Sequence, residues 1–124
     1  MILVVEDSAV IRMGAVDLMR SAGYEAVEAG DANEAIQILE TRTDIDLVFT
    51  DVQMPGTMDG LKLTHYIRNR WPPVKLIVAS GNTTIEESSI PTGSRMFSKP
   101  YHDHEITDAI ARLLAGDDRE SASI

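Results

Sequence analysis

Residues 45–56 read Ile-Asp-Leu-Val-Phe-Thr-Asp-Val-Gln-Met-Pro-Gly. Leu47, Val48 and Phe49 are an apolar run with no polar residue alternating through it. A strand of that kind is covered on both faces, which is the setting of a central parallel strand. The run stops at Asp51, and Met54-Pro55-Gly56 follows with turn chemistry. A buried strand that delivers a carboxylate to a turn is the unit from which the rest of the chain can be read.

The same unit recurs on either side. Apolar runs lie at Ile2–Val5, Tyr24–Glu28, Ile45–Thr50, Val74–Ala79 and Arg95–Ser98. Helical patterns separate them. Ile11, Ala15, Leu18 and Ala22 repeat at helical spacing, and Gly23 stands where a helix stops. Asp31 can cap a helix carrying Ala32, Ala35, Ile36 and Leu39, with Glu34 at the capping-box position. Leu61, Ile67 and their neighbours form a third helix, ended by Trp71-Pro72-Pro73. His102 or Asp103 opens a last one bearing Ile106, Ala109, Ile110 and Leu113. Counting the weaker stretch Asn82–Ile90 as a helix, strand and helix alternate five times. That alternation predicts a doubly wound α/β sandwich with right-handed crossovers. The domain is expected over residues 1–116, with a polar tail over 117–124.

Composition narrows the function classes. The chain has 124 residues, enough for one domain with a real core. It contains no cysteine, which excludes disulfides, thiolate metal sites and thiol nucleophiles. A net charge of −9 argues against nucleic-acid partners and anionic membrane surfaces. No apolar run approaches the ~20 residues of a membrane helix, so a cytoplasmic chain is expected.

In such folds ligands bind beyond the carboxyl ends of the strands. The first strand ends in Glu6-Asp7, the third in Asp51, the fourth in Ser80-Gly81 and the fifth in Lys99-Pro100. Each alone has a plain reading as a loop, a turn or a surface charge. Together they put three carboxylates, a hydroxyl and an ammonium at one edge. Three ionised carboxylates repel unless a cation joins them. Hard oxygen donors with few protein contacts favour Mg²⁺, which keeps several waters and bridges to phosphate. The set therefore reads as a carboxylate nucleophile with electrostatic support.

Glu6-Asp7, the segment Asp51 to Gly56 followed by Met58-Asp59-Gly60, Ser80-Gly81 and Lys99-Pro100 together resemble the response-regulator receiver domain of two-component signalling, over residues 1–116. The resemblance implies a flavodoxin-like five-stranded parallel sheet of order 2-1-3-4-5 with helices on both faces. It implies Asp51 as phosphoacceptor, Mg²⁺ held by Asp7, Asp51, Glu6 and the main-chain carbonyl of Gln53, and Ser80 and Lys99 on the phosphoryl group. The implied donor is a phosphohistidine on a sensor histidine kinase or phosphotransfer protein, and the implied output a contact with a downstream protein. Such a chain is a switch, not an enzyme acting on other molecules; it catalyses only its own phosphorylation and dephosphorylation. A cis Lys99–Pro100 peptide is also implied.

Three features depart from the family pattern. Thr57 is an extra residue and lengthens a loop. Ser80 and Lys99 are closer in sequence than usual, which implies a shortened fourth helix within 82–93, closed by Pro91 and Gly93. Met96 occupies a position that is often aromatic, while Phe97 and Tyr101 are out of that register. Two other classes fit less well. A pseudo-receiver would not need Asp7, Asp51, Ser80 and Lys99 intact. An aspartyl phosphohydrolase needs a second acid two residues after its nucleophile, where this chain has Gln53.

Overall fold

The computed structural model describes residues 1–52, 59–81 and 89–116. Its elements run β1 (Ile2–Val5), α1 (Ala9–Ser21), β2 (Ala26–Ala29), α2 (Ala32–Thr41), β3 (Leu47–Asp51), α3 (Gly60–Arg70), β4 (Lys75–Ser80), β5 (Arg95–Ser98) and α4 (Asp103–Leu114). The strands form one parallel sheet in the order β2-β1-β3-β4-β5, the order implied by the resemblance. The expected helix over 82–90, apart from Ser89 and Ile90, lies outside the described residues, as do Gln53, Thr57 and the tail from 117.

Alternate residues of the central strands feed two cores. Ile2, Val4, Leu47, Phe49, Ile77 and Ala79 pack with α1 and α4, whose buried residues include Met19, Ile106 and Ile110. Leu3, Val5, Val48 and Leu76 pack on the other face with Leu39 of α2 and Leu63 and Ile67 of α3. This two-sided burial is why β1 and β3 lack alternation in sequence.

Local signals explain the element ends. Ser8 caps α1 by accepting from the Ile11 N–H. At its other end Gly23 takes a φ of 96°, open to glycine without steric cost. The Gly23 N–H then reaches Arg20 O at 3.0 Å and the Tyr24 N–H reaches Met19 O at 3.0 Å, a Schellman closure. Because Tyr24 is used in closing α1, β2 begins at Ala26, not at Tyr24 as expected. The buried stripe of α1 also differs from the expected one. It is Ala15, Val16 and Met19, while Ile11 is half exposed and Ala22 is exposed. Asp31 caps α2 through the Glu34 N–H, but the Glu34 carboxylate accepts from Gly30, one residue outside the expected capping box.

Gly60 fixes how α3 meets the sheet. Its N–H donates to Val52 O at 2.9 Å, and Asp59 before it caps the helix through the Lys62 N–H. A Cβ on Gly60 would collide with Asp51 O and lie 2.7 Å from Val52 Cα and 2.8 Å from the Asp51 carbonyl carbon. These are backbone atoms at the end of a central strand, so they cannot swing aside. Gly60→Ala is expected to destabilise the domain by about 1–3 kcal/mol through overpacking. Gly14, where a Cβ would meet nothing within 4 Å, provides the contrast. Gly14→Ala should instead stabilise by about 0.5–1 kcal/mol, because it replaces a helical glycine. Urea unfolding of the two variants checks both signs.

Candidate functional site

The carboxyl ends of β1, β3, β4 and β5 converge as their sequence predicts. Glu6 follows β1 and is buried, and Asp7 beside it is exposed. Asp51 is the last residue of β3 and Ser80 the last of β4, and both are buried. Lys99 follows β5, and its N–H donates to Ser80 O at 2.8 Å, which continues the strand ladder to the site. The Lys99–Pro100 peptide is cis.

The side chains meet in space. Lys99 Nζ donates to Asp51 Oδ2 at 2.8 Å and stands 3.9 Å from Glu6 Oε1. Glu6, Asp7 and Asp51 each present a carboxylate oxygen, all within 4.8 Å of one another. Among the described residues this is the one such group of three acidic or histidine side chains. Hard oxygen donors at this spacing, two buried and one open to solvent, fit a magnesium ion that retains waters and leaves room for a phosphate oxygen. Of the expected ligands, Gln53 alone lies outside the described residues.

The electrostatics follow from that crowding. Burial pushes the Glu6 carboxyl up to about 7; the Ser8 N–H bonded to Glu6 at 2.9 Å opposes this, and the neighbouring Asp7 and Asp51 add to it. Burial also works against the Lys99 ammonium, but its hydrogen bond and charge attraction to Asp51, with Glu6 adding, hold its pKa above the ordinary lysine value. Lys99 thus stays cationic beside the carboxylates.

Met96 is half-buried and packs with Val52, Val78 and Ile90. Tyr101 lies edge-on to Phe49, with ring centroids 6.1 Å apart, and belongs to the core shared with α1 and α4. One residue of the neighbourhood escaped the sequence reading. Arg12 of α1 donates to the Glu6 carbonyl at 2.8 Å, and nothing in the spacing of a lone arginine on a helix signals a contact back to the preceding loop.

Comparison with known proteins gives one consistent result. The profile of the response regulator receiver domain family matches residues 2–111. The chain is 41% identical over 121 residues to the sensor kinase CckA of Brucella abortus, covering 94% of this chain and 13% of that protein. It is 34% identical over 112 residues to the transcriptional regulatory protein PdtaR of Mycobacterium tuberculosis, covering 88% of this chain and 54% of that protein. The chain therefore spans about half or less of the length of these relatives. Among solved structures, it is similar to the signal receiver domain of an HD domain-containing protein from Pseudomonas fluorescens Pf-5, with a TM-score of 0.80, 30% identity and 94% of each chain covered. It is also similar to the receiver domain of the hybrid histidine kinase CckA, with a TM-score of 0.75 and 33% identity over 91% of this chain and 97% of that one.

Because the Glu6 proton is held more tightly in the folded than in the unfolded chain, it favours folding at low pH. In metal-free protein that contribution should be complete below about pH 4.5 and decline as the pH rises to about 7. Urea unfolding in chelator across this window should show stability falling with pH, and Glu6→Gln should flatten the dependence. A pH-independent wild type would remove the basis for a protonated Glu6.

Proposed function

The chain belongs to the response regulator receiver domain family, and from that premise we propose that it accepts a phosphoryl group on Asp51 from a phosphohistidine donor. The observation that carries the proposal is the 2.8 Å contact of Lys99 Nζ with Asp51 Oδ2 beside the Glu6, Asp7 and Asp51 oxygens. A lone buried carboxylate would be a poor acceptor of a dianionic group. With an ammonium on one side and a cation site on the other, the incoming charge has compensation already in place.

In the proposed reaction an Asp51 carboxylate oxygen attacks phosphorus, the phosphorus–nitrogen bond of the donor breaks, and neutral histidine leaves once its ring nitrogen is protonated. Lys99 neutralises the new acyl phosphate as a point charge. The Ser80 hydroxyl donates to a phosphoryl oxygen. Glu6, Asp7, Asp51 and, by family likeness, the Gln53 carbonyl would hold Mg²⁺. When bound, the ion supplies positive charge to the phosphoryl oxygens. Hydrolysis of the acyl phosphate by water then restores Asp51 and releases phosphate, so the phosphorylated state is transient.

Ile11, near the start of α1, lines a cavity shared with Glu6, Asp51 and Lys99. There Val10 is 80% exposed and Met13 is 59% exposed, beside Ile11. Large apolar side chains this open next to a buried acceptor suit a protein donor better than a free metabolite. Sensor kinases among the relatives support a histidine kinase or phosphotransfer protein as that donor. The phosphorylated surface would in turn be read by a downstream protein, in the cytoplasm where such donors present their phosphohistidines. The acidic chain offers little to nucleic acid, and no helix among the described residues is long and apolar enough to cross a membrane.

Incubation with a small acyl phosphate and Mg²⁺ should add one phosphoryl group, seen by intact mass. Asp51→Asn should abolish the adduct, and wild-type labelling of that variant would refute the assignment. In a companion titration, Asp7→Ala should weaken Mg²⁺ binding and slow labelling at limiting Mg²⁺; unchanged binding would remove Asp7 from the metal site.

A further inference from the structure

We infer that Arg12 is a positioning residue for the cation site: it holds the Glu6–Asp7 peptide in the orientation that presents the Asp7 carboxylate beside those of Glu6 and Asp51. This inference rests on the metal-assisted reading of the site given above.

Arg12 lies on α1, and its side chain is only 21% exposed. Its guanidinium spans two acceptors from different segments. Nη1 donates to the Glu6 main-chain carbonyl at 2.8 Å. Nε donates to Glu28 Oε1 at 2.9 Å, on β2. The Glu6 N–H, meanwhile, donates to Ala29 O at 3.1 Å. The main chain of Glu6 is therefore gripped on both sides, by β2 at its N–H and by Arg12 at its carbonyl.

The geometry makes the second grip matter for the site. The Glu6 carbonyl belongs to the same peptide plane as the Asp7 N–H, so rotating that plane turns the Asp7 Cα and its side chain. Glu6 is fixed independently, because it is buried and accepts from Ser8 N–H at 2.9 Å. Asp7 is exposed and follows the strand end, where the ladder no longer constrains it. Among the described contacts, the Arg12 bond is the one made by a side chain to the carbonyl of this peptide. A planar guanidinium can serve a carbonyl and a carboxylate at once because its donors diverge in a fixed fork, and a lysine cannot hold both directions. The ion pair with Glu28 keeps that fork aimed.

Arg20 supplies an internal control. It lies on the same helix and also ties α1 to β2, through Nη2 to Ala26 O at 3.2 Å, but it touches nothing in the acidic loop. A general role in holding α1 to the sheet would make the two arginines equivalent. A positioning role would not.

The test uses the whole chain and Mg²⁺ alone as the probe, by calorimetric titration, with labelling by a small acyl phosphate as the second readout. Arg12→Met should raise the Mg²⁺ Kd by about 10-fold, as loss of a group orienting a metal ligand does. Labelling should be slow at limiting Mg²⁺ and recover to within about 2-fold of wild type at saturating Mg²⁺, since the acceptor and Lys99 are untouched. Arg12→Lys should restore only part of the affinity. Glu28→Gln should weaken binding in the same sense, and its effect should largely vanish in the Arg12→Met background, because the two act through one link. Arg20→Met should leave the Kd unchanged even where it lowers stability. An Arg12→Met Kd within about 2-fold of wild type, or an equal shift in Arg20→Met, overturns the inference while leaving the proposed function standing. A wild-type chain that binds no Mg²⁺ overturns both.

Discussion

The mutual repulsion of three carboxylates at one sheet edge is the constraint on which the rest of the structure turns. Glu6, Asp7 and Asp51 are brought together by the order of the strands, with β1 and β3 adjacent. Isolated, such a cluster would relieve itself by taking up protons or by moving apart. Burial does most to raise the Glu6 pKa and the neighbouring carboxylates add to it, while the Lys99 ammonium on Asp51 is a partial answer to the crowding. One ammonium does not balance three carboxylates, so the cluster has the charge and the oxygen donors that suit a further cation.

A cluster under that stress holds its geometry only if the main chain beneath it is fixed. Three devices do this without using the acidic side chains themselves. Gly60 lets α3 press directly on the Asp51 carbonyl, so Asp51 rests against a helix end. The Lys99 N–H on Ser80 O ties the lysine to the end of β4, and the two strand ends are therefore held side by side. Arg12 braces the carbonyl of Glu6. The first two are main-chain contacts, which need no long side chain to be ordered, and the third acts on a main-chain carbonyl through a guanidinium that Glu28 also holds.

That distinction also separates what the sequence disclosed from what it hid. Burial on both faces of β1, β3 and β4 leaves unbroken apolar runs, and a strand's last residue is fixed by where its run ends. Glu6, Asp51, Ser80 and Lys99 were therefore legible as strand-end groups. The strand order was not: nothing in the runs themselves orders five strands, and the order came from the family resemblance. The face of α1 was misread because Ile11 is as apolar as a core residue, yet it stands half exposed near the site while the smaller Ala15 and Val16 are buried. Gly60 was visible as part of a motif, but its reason, a missing Cβ against Asp51, is a tertiary distance. Arg12 left no trace, since its two acceptors come from a strand and a loop that the sequence does not show to be neighbours.

Met96 shows how a departure from the family pattern is absorbed by packing. In the β4–β5 register Val78 pairs with Met96 and Ser80 with Ser98, so Met96 lies one pleat repeat short of the site. It fills a small cluster with Val52, Val78 and Ile90. Val52 directly follows Asp51, and Ile90 sits in a stretch that α3 grips through its carbonyls. His65 Nε2 is 2.7 Å from Ser89 O, and Arg68 Nη1 donates to Thr92 O at 2.7 Å. A rigid ring at position 96 would have to move as a unit when the end of β4 shifts. An unbranched thioether bends to refill the space instead. The main chain from Ser89 to Ser94, held by α3 at Ser89 O and Thr92 O, leads directly into the edge strand β5.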